Sequence, residues 1–113
     1  VVDVRMTEYR FHFDKTKLKG GRVLFKARNT GRLPHQMVIS ILPPDLPPIL
    51  EQLRSSQRRA VSQLASFPPK ATGKTAALAI DFEPGRYSMV CFVRDPDGIQ
   101  HSVKGMAAEF TIK

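Results

Sequence analysis

The sequence predicts an all-β protein, an antiparallel β-sandwich with one helical insertion. Several segments alternate apolar and polar residues with a period of two, which is typical of half-buried strands. Glycine, proline and asparagine separate these segments, as they do in short turns, so that about six or seven strands follow one another. A chain of 113 residues is the size of one domain, and we expect a single domain over residues 1–113.

The first half of the chain contains three predicted strands. Apolar residues alternate over residues 2–13, but they change from even-numbered to odd-numbered positions near Thr7 and Glu8. We interpret this change as a bulge or as one strand that serves both sheets. A turn at residues 19–22 leads into a second strand over residues 23–28. Residues 35–42 (HQMVISIL) are apolar on nearly both faces, which predicts a central buried strand.

The middle of the chain differs from its surroundings. Four prolines within residues 43–48 end the strand, and Asp45 can cap a helix around residues 46–65, where leucine, alanine and valine recur at close to 3.6 residues. The sequence Phe67-Pro68-Pro69 ends this helical insertion. Strands are predicted again over residues 75–82, 86–93 and 106–112, with a turn at Glu83-Pro84-Gly85.

The charge is strongly basic, with a formal net charge of +8. The 18 basic residues are spread along the chain without an aromatic-rich RNA-binding pattern or zinc-finger spacing, so we expect no nucleic-acid partner. An acidic protein partner or an anionic membrane surface accounts for the same charge. The apolar stretches are too short to span a bilayer. A start at Val1 is compatible with a processed chain from which a signal peptide or membrane tether is missing.

Two local motifs are excluded as ligand sites. Gly73-Lys74-Thr75 resembles the end of a phosphate-binding loop, but Pro68 stands where that motif requires glycine, and a strand follows instead of a helix. Asp95-Pro96-Asp97-Gly98 resembles the start of a calcium loop but lacks the later ligands. We interpret it as a tight turn.

Four side chains offer metal donors near predicted strand ends. Cys91, the single cysteine, ends the inward-facing row of one strand. A nine-residue loop separates it from His101, Met106 opens the last strand, and His35 opens the central one. Taken singly, each is more often an ordinary core or surface residue. Together, thiolate, imidazole and thioether donors favour copper. His12 alternates in step with the polar residues Glu8 and Arg10, so we assign it to a solvated strand face.

The order of these donors resembles the cupredoxins, the small blue-copper proteins such as plastocyanin and azurin. The segments that carry the resemblance span nearly the whole chain: "TEYRF", "GGRVLFKARNTG", "LPHQMVI", "FEPGRYSMVC", "GM" and "AEFTI". The resemblance implies a Greek-key sandwich and one mononuclear type 1 copper, with His35, Cys91 and His101 as equatorial ligands and Met106 as the axial ligand.

The ligand loop departs from the family's usual pattern. Nine residues between Cys91 and His101 exceed the two to four of small electron-carrying cupredoxins and are similar to the long loop of copper nitrite reductases. We expect the loop, which carries Arg94, Asp95 and Asp97, to reshape or shield the ring edge of the second histidine.

The resemblance implies an electron carrier that cycles Cu(I) and Cu(II), rather than an enzyme. The basic charge then favours an acidic redox partner, and we expect no small-molecule substrate. Copper storage or delivery, or a copper-binding domain of a larger membrane-associated assembly, remains the alternative. We expect an extracytoplasmic location. Gln36 and Asn29 are expected to tether the loops around the ligands.

Overall fold

The structure, a computed structural model, describes residues 1–45, 47–49, 51 and 62–113. Among these residues no helix is long and apolar enough to cross a membrane. A short 3₁₀ turn spans Lys15–Lys17, and Ile49 and Glu51 are helical. The strands are β1 Val2–Thr7, β2 Arg10–His12, β3 Gly21–Asn29, β4 Val38–Ile41, β5 Ser62–Ser66, β6 Thr75–Phe82, β7 Gly85–Val90 and β8 Ala107–Ile112.

The strands form two four-stranded sheets. Sheet A has the order β2-β1-β3-β6, and sheet B has the order β5-β4-β7-β8. The predicted β-sandwich is therefore confirmed, and β4 is a central strand of sheet B as expected. The strand pairs are antiparallel as predicted, with one exception: β1 and β3 pair in parallel, with Met6 opposite Asn29.

The change from even to odd apolar positions near Thr7 and Glu8 comes neither from a bulge nor from a strand shared by both sheets, the two causes predicted. No single strand serves both sheets here. Instead, β1 and β2 form an antiparallel pair within sheet A, with Met6 opposite Phe11. The residues between the two strands turn the chain back, which resets the phase of the apolar alternation without moving it to the other sheet.

The helical insertion predicted around residues 46–65 lies largely outside the described residues, since residues 46, 50 and 52–61 are not among them. Its last part is wrong, because Ser62–Ser66 form the edge strand β5. This strand pairs with β4, placing Ile39 opposite Ala65. Pairing with an open sheet edge satisfies the backbone of this segment and overrides the local helical spacing.

The hydrophobic core lies between the two sheets. Phe82, Tyr87 and Phe110 contact one another there, with ring centroids 4.8 to 5.7 Å apart. Phe25 meets Phe82 edge-on at 6.0 Å. The alternation of apolar residues along each strand directs these rings inward, and inward side chains of facing sheets interdigitate.

One end of the sandwich collects the ends of strands from both sheets. Because β1 and β3 are parallel, Thr7 and Asn29 reach the same end. In sheet B, β4 and β8 run antiparallel to β7, so both strands begin where β7 ends at Val90. The residues just beyond these strand ends therefore meet although they are far apart in the sequence.

Candidate metal centre

Three of the four predicted ligand residues meet at this end of the sandwich. His35, Cys91 and His101 are fully buried, and their donor atoms all lie within 4.8 Å of one another. Nδ1 of His35 is 3.2 Å from Nδ1 of His101, and Sγ of Cys91 is 3.6 Å from the same His101 nitrogen. The two histidines and the cysteine thus form one compact donor cluster.

The spacing of the donors fits a single metal ion. Transition-metal ions in proteins sit about 2.0–2.1 Å from imidazole nitrogen and about 2.3 Å from thiolate sulfur. With those bond lengths, the two separations correspond to angles of about 100° and about 110° at one ion. Both angles lie in the range of trigonal or tetrahedral sites, so these two separations are those expected of ligands to one metal ion.

The main chain ties Met106 to the cluster. Its carbonyl accepts a hydrogen bond from the amide of Cys91 at 3.2 Å, and its amide donates to the carbonyl of His101 at 3.0 Å. The Met106 side chain is fully buried in the same core cluster as Cys91. The methionine is therefore linked through its main chain to both the cysteine and the second histidine, and it lies immediately before β8.

A buried carboxylate holds the outer nitrogen of His101. Nε2 of His101 is 2.7 Å from Oδ1 of Asp95, and the other Asp95 oxygen accepts from the Tyr9 hydroxyl at 2.6 Å and from the Lys104 ammonium. Hydrogen bonds from Lys104 and Tyr9 hold the pKa of Asp95 well below its usual range. Because an ionised carboxylate only accepts, Nε2 carries a hydrogen, which leaves Nδ1 as the ring nitrogen that can bind a metal.

The long loop therefore shields His101, as the sequence analysis expected. Asp95 belongs to this loop, and the ring of Tyr9 meets His101 edge-on with centroids 5.2 Å apart. Lys104 lies over the Tyr9 ring at 5.3 Å. His101 consequently has no exposed surface, and its ring edge does not open onto solvent.

A second carboxylate approaches His35. Oε2 of Glu8 lies 3.5 Å from Nε2 of His35, and Oε1 of Glu8 accepts hydrogen bonds from the amides of Arg32 and Leu33. Burial raises the pKa of Glu8, but these amide hydrogen bonds outweigh it and leave the pKa lowered. Glycine at position 31 makes the approach possible, since a Cβ there would lie 2.1 Å from Oε2 of Glu8 and 2.9 Å from Nε2 of His35.

The burial of the cluster favours uncharged ligands in the absence of metal. Burial raises the pKa of the Cys91 thiol, partly opposed by the amides of Gln36 and Val93. Burial and the neighbouring His101 lower the pKa of His35. A bound cation reverses the balance at the thiol, because metal binding requires the thiolate and releases its proton.

Gln36 and Asn29 tether the surrounding loops, as predicted. The Gln36 amide is 3.4 Å from Sγ of Cys91, and its side-chain oxygen accepts from the amide of Phe92 at 3.3 Å. Asn29 donates to the carbonyls of Leu33 and Lys70 at 2.8 and 2.7 Å and accepts from the Gly31 amide at 2.9 Å. These bonds hold the segment before His35 against the rest of the site.

The residues set aside in the sequence analysis lie elsewhere. His12 is half-buried on the outer face of sheet A, bonded to the Thr7 hydroxyl at 2.8 Å, and is not part of the cluster. Thr75 begins β6, so no helix follows Gly73. The Gly98 amide donates to the Asp95 carbonyl at 2.8 Å, which confirms the predicted turn.

Four residues surround the two histidines, and sequence reasoning missed three of them: Glu8, Tyr9 and Lys104. Tyr9 and Asp95 are 86 positions apart, and no local pattern relates them. The fourth, Asp95, was placed in the loop expected to shield the second histidine, but no contact between its carboxylate and the histidine ring was predicted. Its second role depends on which residues the other loops bring to the same end.

Comparison with known proteins identifies the fold. No protein-family model matches the sequence, and no curated protein is similar to it in sequence. Among solved structures, dithionite-reduced auracyanin from the photosynthetic bacterium Roseiflexus castenholzii aligns with a TM-score of 0.65 and 17% identity, over 98% of this chain and 94% of that one.

Two further structures have the same architecture. Auracyanin B aligns with a TM-score of 0.65 and 17% identity over 99% of this chain and 87% of that one. Rusticyanin from Thiobacillus ferrooxidans aligns with a TM-score of 0.63 and 16% identity over 98% of this chain and 76% of that one. These proteins are cupredoxins, and the chain has the cupredoxin fold.

Proposed function

We propose that the protein binds one copper ion at a mononuclear type 1 site and carries single electrons by cycling it between Cu(I) and Cu(II). His35, Cys91 and His101 are the equatorial ligands in this proposal, and Met106 is the axial ligand. The observation that carries the proposal is the buried cluster of two imidazoles and one thiol, at the end of a sandwich that has the cupredoxin fold.

The donor set supports copper over other metals. Two histidines, one thiolate and a weak thioether make up the ligands of blue-copper sites, whereas carboxylate oxygens suit calcium, magnesium or manganese. Glu8 and Asp95 approach the outer ring nitrogens and not the donor centre. In that position Asp95 orients the His101 ring through a hydrogen bond, and neither carboxylate is placed to serve as a ligand.

The chain's own residues supply rigidity and a dry environment. Asp95 holds the His101 ring in one tautomer, and the Gln36 amide lies at the cysteine sulfur. All three cluster residues have no exposed surface, so water has little access to the donors. A copper ion held by such ligands changes oxidation state with little rearrangement, which is the chemistry an electron carrier needs.

We further propose a single domain of extracytoplasmic location, which is an electron carrier and not an enzyme and which has an acidic redox partner. The basic net charge supports this partner, because complementary charge accelerates association. The rate of electron exchange with such a partner should therefore fall as ionic strength rises.

The test is to add Cu(II) to the metal-free protein and record visible and electron-spin-resonance spectra. An intense thiolate-to-copper charge-transfer band that disappears in Cys91→Ser supports the proposal. His12→Ala is the matched control, because this histidine lies outside the cluster, and its spectrum should equal that of the unsubstituted protein. No band in the unsubstituted protein would refute copper binding by Cys91.

Redox cycling separates electron transfer from copper storage or delivery. An electron carrier retains copper through repeated reduction and reoxidation, since both oxidation states share one ligand set. Release of Cu(I) to a chelator within a few cycles would instead establish the delivery function.

A further inference from the structure

Basic side chains form a row across the outer face of sheet A. Arg5 on β1 lies opposite His12 on β2 and opposite Arg28 on β3. Lys26 lies two positions before Arg28 and therefore on the same face. We call Arg5, His12, Lys26 and Arg28 the basic row.

The positive charge of the basic row is only partly compensated within the described part of the chain, because one carboxylate, Asp3, lies opposite Lys26 on the same face. Arg5, Lys26 and Arg28 are exposed, and their side chains form no hydrogen bond or ion pair with a described residue. At the other end of the same sheet, by contrast, Arg22 meets Asp81 at 3.0 Å. Like charges opposite each other on adjacent strands destabilise a sheet, so the row favours an anionic counterpart.

The basic row lines a surface cleft of about 520 Å³. Phe13 contributes an apolar wall, Thr30 and Thr75 contribute hydroxyl groups, and Asp3 is the one acidic residue of the described lining. Burial, Arg5 and Arg10 lower the pKa of His12, in keeping with a positive potential over this face. The cleft thus offers forked guanidinium donors suited to carboxylates.

The cleft lies beside the metal centre on the side of His35. Thr30, in the lining, is followed by Gly31, whose missing Cβ would lie 2.9 Å from Nε2 of His35. The amides of Thr30 and Gly31 both donate to the carbonyl of Met6, at 3.0 and 3.1 Å, and Met6 follows Arg5. The opposite side of the centre, at His101, is covered by Tyr9 and the ligand loop.

We propose that an acidic redox protein docks on the basic row and that electrons enter the metal centre from the His35 side. This inference rests on the proposed function. In the exchange, one electron leaves the reduced partner and converts Cu(II) to Cu(I), with no bond made or broken in either protein. The surface suits a protein and not a membrane, because none of the described large apolar side chains with high exposure (Val1, Ile41, Leu64, Phe92 and Ile99) belongs to the cleft.

Two probes test the docking surface on the full chain. Oligoglutamate, titrated into isotope-labelled metal-free protein, reports binding by amide chemical shifts and needs no copper. Hexacyanoferrate(III), mixed with the Cu(I)-loaded protein, reports the rate at which an anion collects an electron. We compare Arg5→Glu/Arg28→Glu with Lys17→Glu/Lys19→Glu, which changes the net charge equally at exposed sites preceding β3.

The shifts should cluster on β1–β3, and Arg5→Glu/Arg28→Glu should weaken peptide binding and slow the oxidation by about tenfold or more, against less than about threefold in the lysine control. Equal effects of both double variants, or shifts centred on another face, would overturn the proposal. Binding of phosphatidylserine vesicles through the row, without peptide binding, would overturn the assignment to a protein. A lack of copper binding would defeat the proposed function while the peptide result still decided the docking surface.

Discussion

Asp95 is the residue whose substitution tests the construction of the site most directly. Its nearly buried carboxylate accepts hydrogen bonds from His101 at 2.7 Å and Tyr9 at 2.6 Å and pairs with Lys104. In Asp95→Asn the side chain keeps its shape but loses its charge and one acceptor oxygen. The amide group that replaces this oxygen can only donate, so at least one buried donor is left without a partner.

The size of the effect follows from these contacts. A hydrogen bond to a charged group contributes about 1.5–3 kcal/mol, and leaving a buried donor unpaired costs about 1–3 kcal/mol. Lys104 is discounted, because it keeps Asp97 as a partner at 2.9 Å. We therefore expect Asp95→Asn to lower the free energy of unfolding of the metal-free protein by about 2–4 kcal/mol. At about 4 °C per kcal/mol, the melting temperature falls by roughly 8–16 °C.

The assay is urea unfolding of the metal-free protein, followed by far-ultraviolet circular dichroism because the chain has no tryptophan. The pKa of Asp95 is lowered in the folded state, so its contribution is fully present above the ordinary aspartate pKa of about 3.9 and is lost as the pH falls through the folded-state value. The difference between Asp95→Asn and the unsubstituted protein should therefore be constant near neutral pH and shrink progressively below about pH 4.

Asp97→Asn is the matched control. Asp97 pairs with the same lysine, but its side chain is 51% exposed, so its loss should cost no more than about 1 kcal/mol. If Asp95→Asn left the unfolding free energy at pH 7 within about 0.5 kcal/mol of the unsubstituted protein, the argument that this carboxylate anchors the ligand loop would be refuted.

Three further results are expected. Gly31→Ala should destabilise the protein by about 1–3 kcal/mol in urea, because the new methyl group displaces Glu8, whereas Gly20→Ala, with its nearest contact at 3.8 Å, should change the stability little. Asn29→Ala should lower the free energy of unfolding by about 2–4 kcal/mol, since it removes three hydrogen bonds. Thr72→Ala removes one hydrogen bond, and an equally small loss of stability in Asn29→Ala would contradict this prediction. Asp95→Asn should also weaken copper binding about 10–100-fold in a chelator competition, and unchanged affinity would show that it does not orient the ligand.

Much of the fold could be predicted from local pattern. Apolar alternation identified β3, β6, β7 and β8 to within a few residues, since a period of two directly encodes which face of a strand is buried. Reasoning from local pattern failed at β5. There the spacing of apolar residues predicted a helix, because the sequence does not show that β4 offers a free edge for pairing. It also failed at β1 and β2, because a change of parity looks the same in a hairpin as in a strand that changes sheets.

The sequence by itself determined the donor types and their placement near strand ends. Cys91 closes an inward row, and His35 and His101 stand beside predicted strands, so a cluster could be expected from residue chemistry and order alone. Only the tertiary structure decided the surroundings: that Asp95 and Tyr9 close over His101, that Gly31 lets Glu8 reach His35, and that Arg5 faces Arg28. These contacts join residues from different strands and loops. They exist because parallel β1 and β3 end at the same end of the sandwich as β7, and no local sequence pattern encodes this topology.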